Sequence, residues 1–62
     1  MKLTVKQARR MAEKTQAEMA KELGIDRSTY IKLEKDPDRA TVSQAKKISQ
    51  VTGVPVGSLF LP

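Results

Sequence analysis

The residues from 27 to 35 place basic and polar side chains at the spacing of one helix face. This set, which we call the reading face, consists of Arg27, Ser28, Ile31, Lys32 and Lys35. An Arg side chain donates two parallel hydrogen bonds to guanine O6 and N7, Lys donates to the same edge, and Ile contacts a thymine methyl. Because no acidic residue falls on this face, the pattern predicts a surface that reads base edges in duplex DNA.

The opposite side of the same segment is mostly apolar. It carries Tyr30, Leu33 and Glu34, so the helix is expected to turn one side to a core and the other outward. Ile31 stands between the two sides, and its position is equally compatible with the edge of the core and with a DNA contact.

Residue types on which most enzymes and metal sites depend are missing from the sequence. It has no Cys and no His, which excludes a zinc–thiolate site, a cysteine nucleophile and the commonest general base near neutral pH. The seven Asp and Glu residues form no convergent pair. We therefore expect no enzyme, and no cofactor, metal ion or small-molecule ligand.

The charge of the chain favours a polyanionic partner. Twelve Lys and Arg against seven Asp and Glu leave a net charge of +5. Residues 1–35 hold nine of the basic and five of the acidic groups, which concentrates the positive field near the reading face. One Tyr and one Phe are too few for the stacking platforms of single-strand binders, so double-stranded DNA is the expected partner.

A chain of 62 residues has room for one small domain, expected to span residues 1–62. No stretch approaches the ~20 apolar residues of a membrane span, and the first residues are charged rather than apolar as in a signal peptide. Together with the lack of Cys, these features predict a cytoplasmic protein.

Four helix starts are marked by capping residues. In a capping box, a Thr and a Glu or Gln three residues later each accept a hydrogen bond from the backbone N–H of the other. The sequence has three such boxes, Thr4 with Gln7, Thr15 with Glu18, and Thr41 with Gln44. Asp26 predicts a fourth start, with a carboxylate cap and a hydrophobic staple between Ile25 and Tyr30.

Apolar residues at helical spacing follow each start, and Gly24, Pro37 and Gly53 mark helix ends. The stripes are Val5, Ala8, Met11 and Ala12; Met19, Ala20 and Leu23; Tyr30 and Leu33; and Val42, Ala45 and Ile48. The tail has room for one more turn, whose apolar residues either close the core or contact a partner, namely Leu59, Phe60 and Leu61. We predict an all-α fold, a compact bundle of four to five helices.

The segment from about 16 to 35 combines two short helices with a turn. Ala20 allows a close approach of the helices, and Gly24 supplies positive φ at the turn. The pattern TQAEMAKELGIDRSTYIKLE resembles the helix-turn-helix of the phage repressor and Cro proteins, also called the XRE family. The resemblance runs from about Val5 to Phe60 and implies a lambda-repressor-like DNA-binding domain.

The resemblance implies roles for individual residues. The base-contacting positions of the family correspond to Arg27, Ser28 and Lys32, to which the pattern of the face adds Ile31. Its backbone-contacting positions correspond to Gln16, Lys35 and Arg39, which Arg10 is expected to assist. The family glutamine at the position of Gln16 also braces the recognition helix, and the alternative for Gln16 is an ordinary polar residue of a first helical turn.

The resemblance also pairs Arg9 of the first helix with Glu34 of the third. The alternative is two solvated charges, worth about 0–1 kcal/mol if they pair. The chain departs from the family at Lys14, where an apolar residue is usual, and at Asp36 and Asp38, which repel phosphates beside the expected backbone contacts.

Two functions are compatible with these features. The first is a sequence-specific transcriptional regulator, a Cro-like or small repressor of a phage, prophage or mobile element. Because one module of this size buries only ~600–1,000 Å² on DNA, such a protein is expected to bind a pseudo-palindromic operator as a weak homodimer, formed on DNA. The second is a module that binds a protein, as an antitoxin or anti-repressor does, for which an acidic or apolar reading face is expected.

Overall fold

Helices form the secondary structure of the computed structural model, which describes residues 3–59. In chain order they are α1 (Val5–Met11), α2 (Gln16–Leu23), α3 (Arg27–Lys35), α4 (Val42–Thr52) and α5 (Val56–Leu59), with a 3₁₀ turn at Pro37–Arg39. The prediction of an all-α fold of four to five helices is confirmed.

The three capping boxes begin α1, α2 and α4 as predicted. In each box both reciprocal hydrogen bonds are present, with lengths between 2.8 and 3.0 Å. Asp26 is the N-cap residue of α3, as predicted, but its side chain makes no capping hydrogen bond. Thr29 occupies the position that Glu or Gln takes in the other three boxes, and therefore no reciprocal bond closes this one.

Backbone conformation explains the helix ends. Gly24 and Gly53 end α2 and α4 with φ of +70° and +78°, in the left-handed region that favours glycine. Pro37 begins the 3₁₀ turn after α3. In the loop between α1 and α2, Glu13 also adopts a positive φ of 57°. A side chain at such a position strains the backbone.

The core lies where α2 packs on α3 and α4, and α4 packs on α1 and α5. Every helix contributes to it, and its buried members are Val5, Ala8, Met19, Ala20, Tyr30, Leu33, Ile48, Val54 and Leu59. Ile25 packs against this cluster as a partly buried residue. Leu59 therefore helps to close the core, whereas Phe60 and Leu61 lie outside the described residues.

Two predicted core residues are exposed instead. Met11 is 67% exposed and Val42 is 73% exposed. With 3.6 residues per turn, positions i, i+3 and i+6 drift by about 60° at each step around a helix, so one of three leaves the buried side. Met11, the last residue of α1, and Val42, the first residue of α4, are the ones that lie outside the buried side of their helices.

The two ends of the described chain meet. The backbone N–H of Leu3 donates to the carbonyl of Ser58 in α5 at 2.8 Å.

Across residues 3–59, none of the helices has both the length and the apolar character needed to cross a membrane.

Candidate nucleic-acid interface

The turn between α2 and α3 is closed by backbone hydrogen bonds. The N–H of Gly24 donates to the carbonyl of Lys21 at 3.1 Å, and the N–H of Ile25 donates to that of Ala20 at 3.0 Å. This pairing, with a left-handed residue at the helix end, satisfies the last carbonyls of α2. It fixes the point from which α3 departs, and thereby the placement of the reading face relative to α2.

Elements before and within the helix-turn-helix meet at the carboxylate of Glu34. Arg9 Nε, from α1, donates to Glu34 Oε2 at 2.7 Å, and Gln16 Nε2, from α2, donates to Glu34 Oε1 at 3.0 Å. Arg9 Nη1 also donates to the carbonyl of Lys14 at 2.9 Å. We call Arg9, Gln16 and Glu34 the polar network. It links α1, the loop before α2, α2 and α3.

The side chains of the ion pair in this network are largely shielded from solvent. The side chains of Arg9 and Glu34 are only 11% and 5% exposed, so the geometry differs from that of two solvated charges. Burial alone would raise the pKa of Glu34, but its hydrogen-bond donors, Arg9 first among them, bring it below the usual 4.5. Glu34 is therefore ionised at neutral pH.

Tyr30 lies beside the network on the core side of α3. Its hydroxyl is buried and makes no hydrogen bond of good geometry within residues 3–59. Burial, together with the neighbouring carboxylate of Glu34, raises the pKa of Tyr30 well above its usual range. The phenol stays neutral, as a core residue requires.

The outward side of α3 is exposed and carries no acid. Four members of the reading face are exposed, namely Arg27, Ser28, Lys32 and Lys35. Ile31 is half-buried at the border between this face and the core. Glu34, the one acidic residue of α3, is turned into the polar network instead. The helix thus presents donors and positive charge outward, which suits the acceptors in the major groove of DNA.

One exposed residue of α3 was missed by the sequence interpretation. Thr29 lines a cleft of about 110 Å³ with residues of α3, the 3₁₀ turn and α4, including Lys32, Arg39 and Gln44. Its spacing of three residues from Lys32 is the sequence signal that identifies it, since i and i+3 are neighbours on a helix surface. Thr29 therefore borders the reading face on the side of α4.

The residues expected to contact phosphates are spread over several elements. Arg10 on α1 and Lys35 at the end of α3 are exposed, and Gln16 is half-buried at the start of α2. Arg39 is 70% exposed, and its Nε lies 3.3 Å from Oδ2 of Asp36. The structure joins Gln16 to α3 through Glu34, and it pairs Arg39 with one of the acids expected to oppose phosphate binding.

No acidic cluster within residues 3–59 has an arrangement that would hold a metal ion.

A family model described as helix-turn-helix, of the XRE type, matches residues 5–59. No curated protein and no solved structure gives a significant match.

Proposed function

The chain belongs to the XRE family of helix-turn-helix proteins, a family of DNA-binding regulators, and from this premise we propose that it is a sequence-specific regulator of transcription. We assign it the role of a Cro-like or small repressor that occludes a promoter. The protein has no enzymatic role in this proposal, and it acts in the cytoplasm of a bacterium or phage-infected host without a cofactor.

One observation carries the proposal, namely the separation of charge on α3. The helix turns its single carboxylate, Glu34, into the polar network and leaves Arg27, Lys32 and Lys35 exposed on the other side. A face that lies against polyanionic DNA gains from removing its acid, whereas a face that binds a protein gains in this way only if that protein is acidic. This basic face favours DNA over a protein partner.

We divide the contacts into two groups. Base edges are read by Arg27, Ser28, Ile31 and Lys32, and phosphates are held by Gln16, Lys35, Arg39 and Arg10. The first group sets the sequence that is bound, and the second sets register and most of the salt dependence. The pairing of Arg39 with Asp36 makes Arg39 the weakest of the phosphate contacts.

The size of the domain supports binding as a dimer. Its Cα extents are 28 × 23 × 18 Å, whereas two half-sites on one side of a duplex lie about 34–36 Å apart. One copy therefore reads one half-site, and a pseudo-palindrome takes two. We expect the homodimer to be weak and to form on DNA.

An apolar groove supplies the contact surface for the second copy. It has a volume of about 390 Å³ and lies between the 3₁₀ turn, α4 and α5, with Val42, Ala45 and Val56 among its lining residues. Asp38 and Lys46 also line it. In the proposed dimer a two-fold axis brings Asp38 of each copy to Lys46 of the other, around the apolar centre of the groove.

The test is selection of bound duplexes from a random library, followed by affinity measurements across a salt series. An enriched palindrome with a steep fall in affinity as salt rises supports a dimeric regulator. A single enriched half-site supports DNA recognition but contradicts the dimer. Weak binding without enrichment overturns the proposal in favour of a module that binds a protein, as an antitoxin or anti-repressor does.

A further inference from the structure

Gln16 differs from the other proposed phosphate contacts in how its side chain is held. Arg10 and Lys35 are exposed, and Arg39 pairs with an exposed acid. The amide of Gln16 instead donates to Glu34, whose carboxylate is 5% exposed. Its orientation is therefore set by a buried group of α3 before any DNA is bound.

The chemistry of the acceptor fixes which end of the amide faces it. An ionised carboxylate only accepts hydrogen bonds, so the nitrogen of Gln16 must face Glu34. A primary amide nitrogen carries two N–H groups, and one bond to Glu34 leaves the second to donate elsewhere. Phosphate oxygens are acceptors, so this second N–H is the one suited to DNA.

Arg9 makes this arrangement compatible with a nearby phosphate. It donates to the other oxygen of Glu34 at 2.7 Å and compensates the charge of the carboxylate. Arg9 also holds the carbonyl of Lys14, one residue before the cap of α2. The same guanidinium thus fixes both the start of α2 and the acceptor of the Gln16 amide.

We propose that Glu34 is a positioning residue for DNA binding, which holds the amide of Gln16 so that it donates to a phosphate. The backbone contact made from α2 is thereby tied to the reading face on α3, because Glu34 belongs to that helix. This inference rests on the proposed function, since the Gln16 contact exists only on duplex DNA.

A variant that keeps the fold but removes the acceptor tests the inference. Buried ion pairs can often be replaced by apolar residues of similar volume without loss of stability, which recommends Arg9→Met combined with Glu34→Leu. Affinity for a duplex enriched in the selection is measured for the wild type, this pair replacement, Gln16→Ala and all three changes together. Circular dichroism identifies a temperature at which every variant is folded.

We expect Gln16→Ala and the pair replacement each to weaken binding about fivefold, the range of one hydrogen bond. The triple variant is expected to bind no more weakly than the poorer of the two, because both remove the same contact. The salt dependence should stay unchanged, since Gln carries no charge to displace counterions. Losses that multiply to about 25-fold overturn the inference.

A core variant separates positioning from general destabilisation. Ile48→Ala opens a cavity in the core beside α4, and Ile48 takes no part in the hydrogen bonds of the polar network. If it weakens binding as much as the pair replacement does at the same folded fraction, Glu34 has only a structural role. If the wild type binds no duplex specifically, the proposed function itself fails, which the first measurement of the series reveals.

Side-chain NMR gives a second readout that needs no DNA. In the wild type we expect the amide of Gln16 to show the heteronuclear relaxation of an ordered group, in contrast to the exposed Gln50 of α4. In the pair replacement, Gln16 should become as mobile as Gln50. Equal mobility of the two amides in the wild type contradicts the inference, even if the replacement fails to fold.

Discussion

The helix-turn-helix, residues 16–35, and the α4–α5 region, residues 42–59, share one core but differ in how they are held and in what they expose. In the first, the carboxylate of Glu34 accepts hydrogen bonds from α1 and from α2, and cations are exposed on α3. The second leaves Val42 and Val56 partly in water beside an apolar groove. Directional bonds hold the surface that we propose matches DNA in register, whereas the apolar surface suits the reversible contact that we propose with a second copy.

The largest expected effect is on the free energy of unfolding, and it comes from breaking the polar network of the helix-turn-helix. Arg9→Met leaves the buried carboxylate of Glu34 without its cation, and we expect the free energy of unfolding to fall by about 3 kcal/mol. Urea denaturation measures it. The control is Asp36→Asn, which breaks the exposed pair with Arg39 and should change stability by less than about 1 kcal/mol. Equal losses in the two variants would contradict the distinction between the pairs.

The same network predicts a dependence on acid. The pKa of Glu34 is lowered by folding, so its contribution to stability is fully present above about pH 4.5, its usual pKa, and is lost as pH falls through the lower folded value. We expect the stability difference between the wild type and Arg9→Met to shrink over that window. A difference that stays constant between pH 7 and 3 would show that the ionisation of Glu34 is not involved.

The next effect concerns the reading face. Arg27→Ala should weaken binding to the selected site by about 2 kcal/mol and relax the preference at one base position. Lys35→Ala is the contrasting variant, because a phosphate contact should weaken binding on all sequences and reduce the salt slope by about one. Repeating the selection with both variants compares them directly. If Arg27→Ala weakens binding equally on all sequences, Arg27 belongs to the residues that contact phosphates.

A smaller effect is expected on dimer dissociation when the groove of the α4–α5 region is changed. Val42→Asp places a charge in the groove that Asp38 also lines, and we expect dimer dissociation to become about tenfold easier, or about 1.4 kcal/mol. Stability of the monomer should not fall, because Val42 is 73% exposed and an acid in the first turn of α4 interacts favourably with the helix dipole. Met11→Asp is the matched control, as Met11 is similarly exposed but lies outside the groove. Sedimentation at several concentrations distinguishes them, and equal effects would place the dimer contact elsewhere.

The smallest effect lies in the loop between α1 and α2. Glu13→Gly relieves a left-handed backbone of φ 57°, and the greater freedom of glycine in the unfolded chain offsets part of the gain. We expect a net stabilisation of about 0.5 kcal/mol by thermal denaturation. Glu13→Gln removes the same charge but keeps the side chain, so it should leave stability unchanged. A gain shared by both variants would point to charge rather than conformation.

Local features of the fold were predictable from the sequence. The capping boxes at Thr4, Thr15 and Thr41 act within four residues, and the glycines at 24 and 53 act at a single position, so neighbouring residues decide them. The exposure of Met11 and Val42 was not predictable in this way, because it depends on which part of a drifting stripe meets the core.

The same distinction between features set by neighbouring residues and features set by packing applies to the candidate site. Exposure of the basic side of α3 follows from its helical spacing, whereas the pairing of Arg9 with Glu34 was expected from the family resemblance and from the position of both residues close to apolar stripes. The bond from Gln16 to Glu34 joins residues 18 positions apart, and no local pattern indicates it. It depends on how α2 and α3 pack, which only the assembled fold determines.

The hydrogen bond between Leu3 and Ser58 holds the two ends of the described chain, residues 3–59, next to each other. A short linker between these positions would let the polypeptide be opened elsewhere while every helix kept its neighbours. The exposed 3₁₀ turn at Pro37–Arg39 is the natural place for the opening, since it separates α3 from α4. Such a circular permutant would place α4 and α5 before the helix-turn-helix in sequence, so the order of the two surfaces along the chain is interchangeable although their arrangement in space is not.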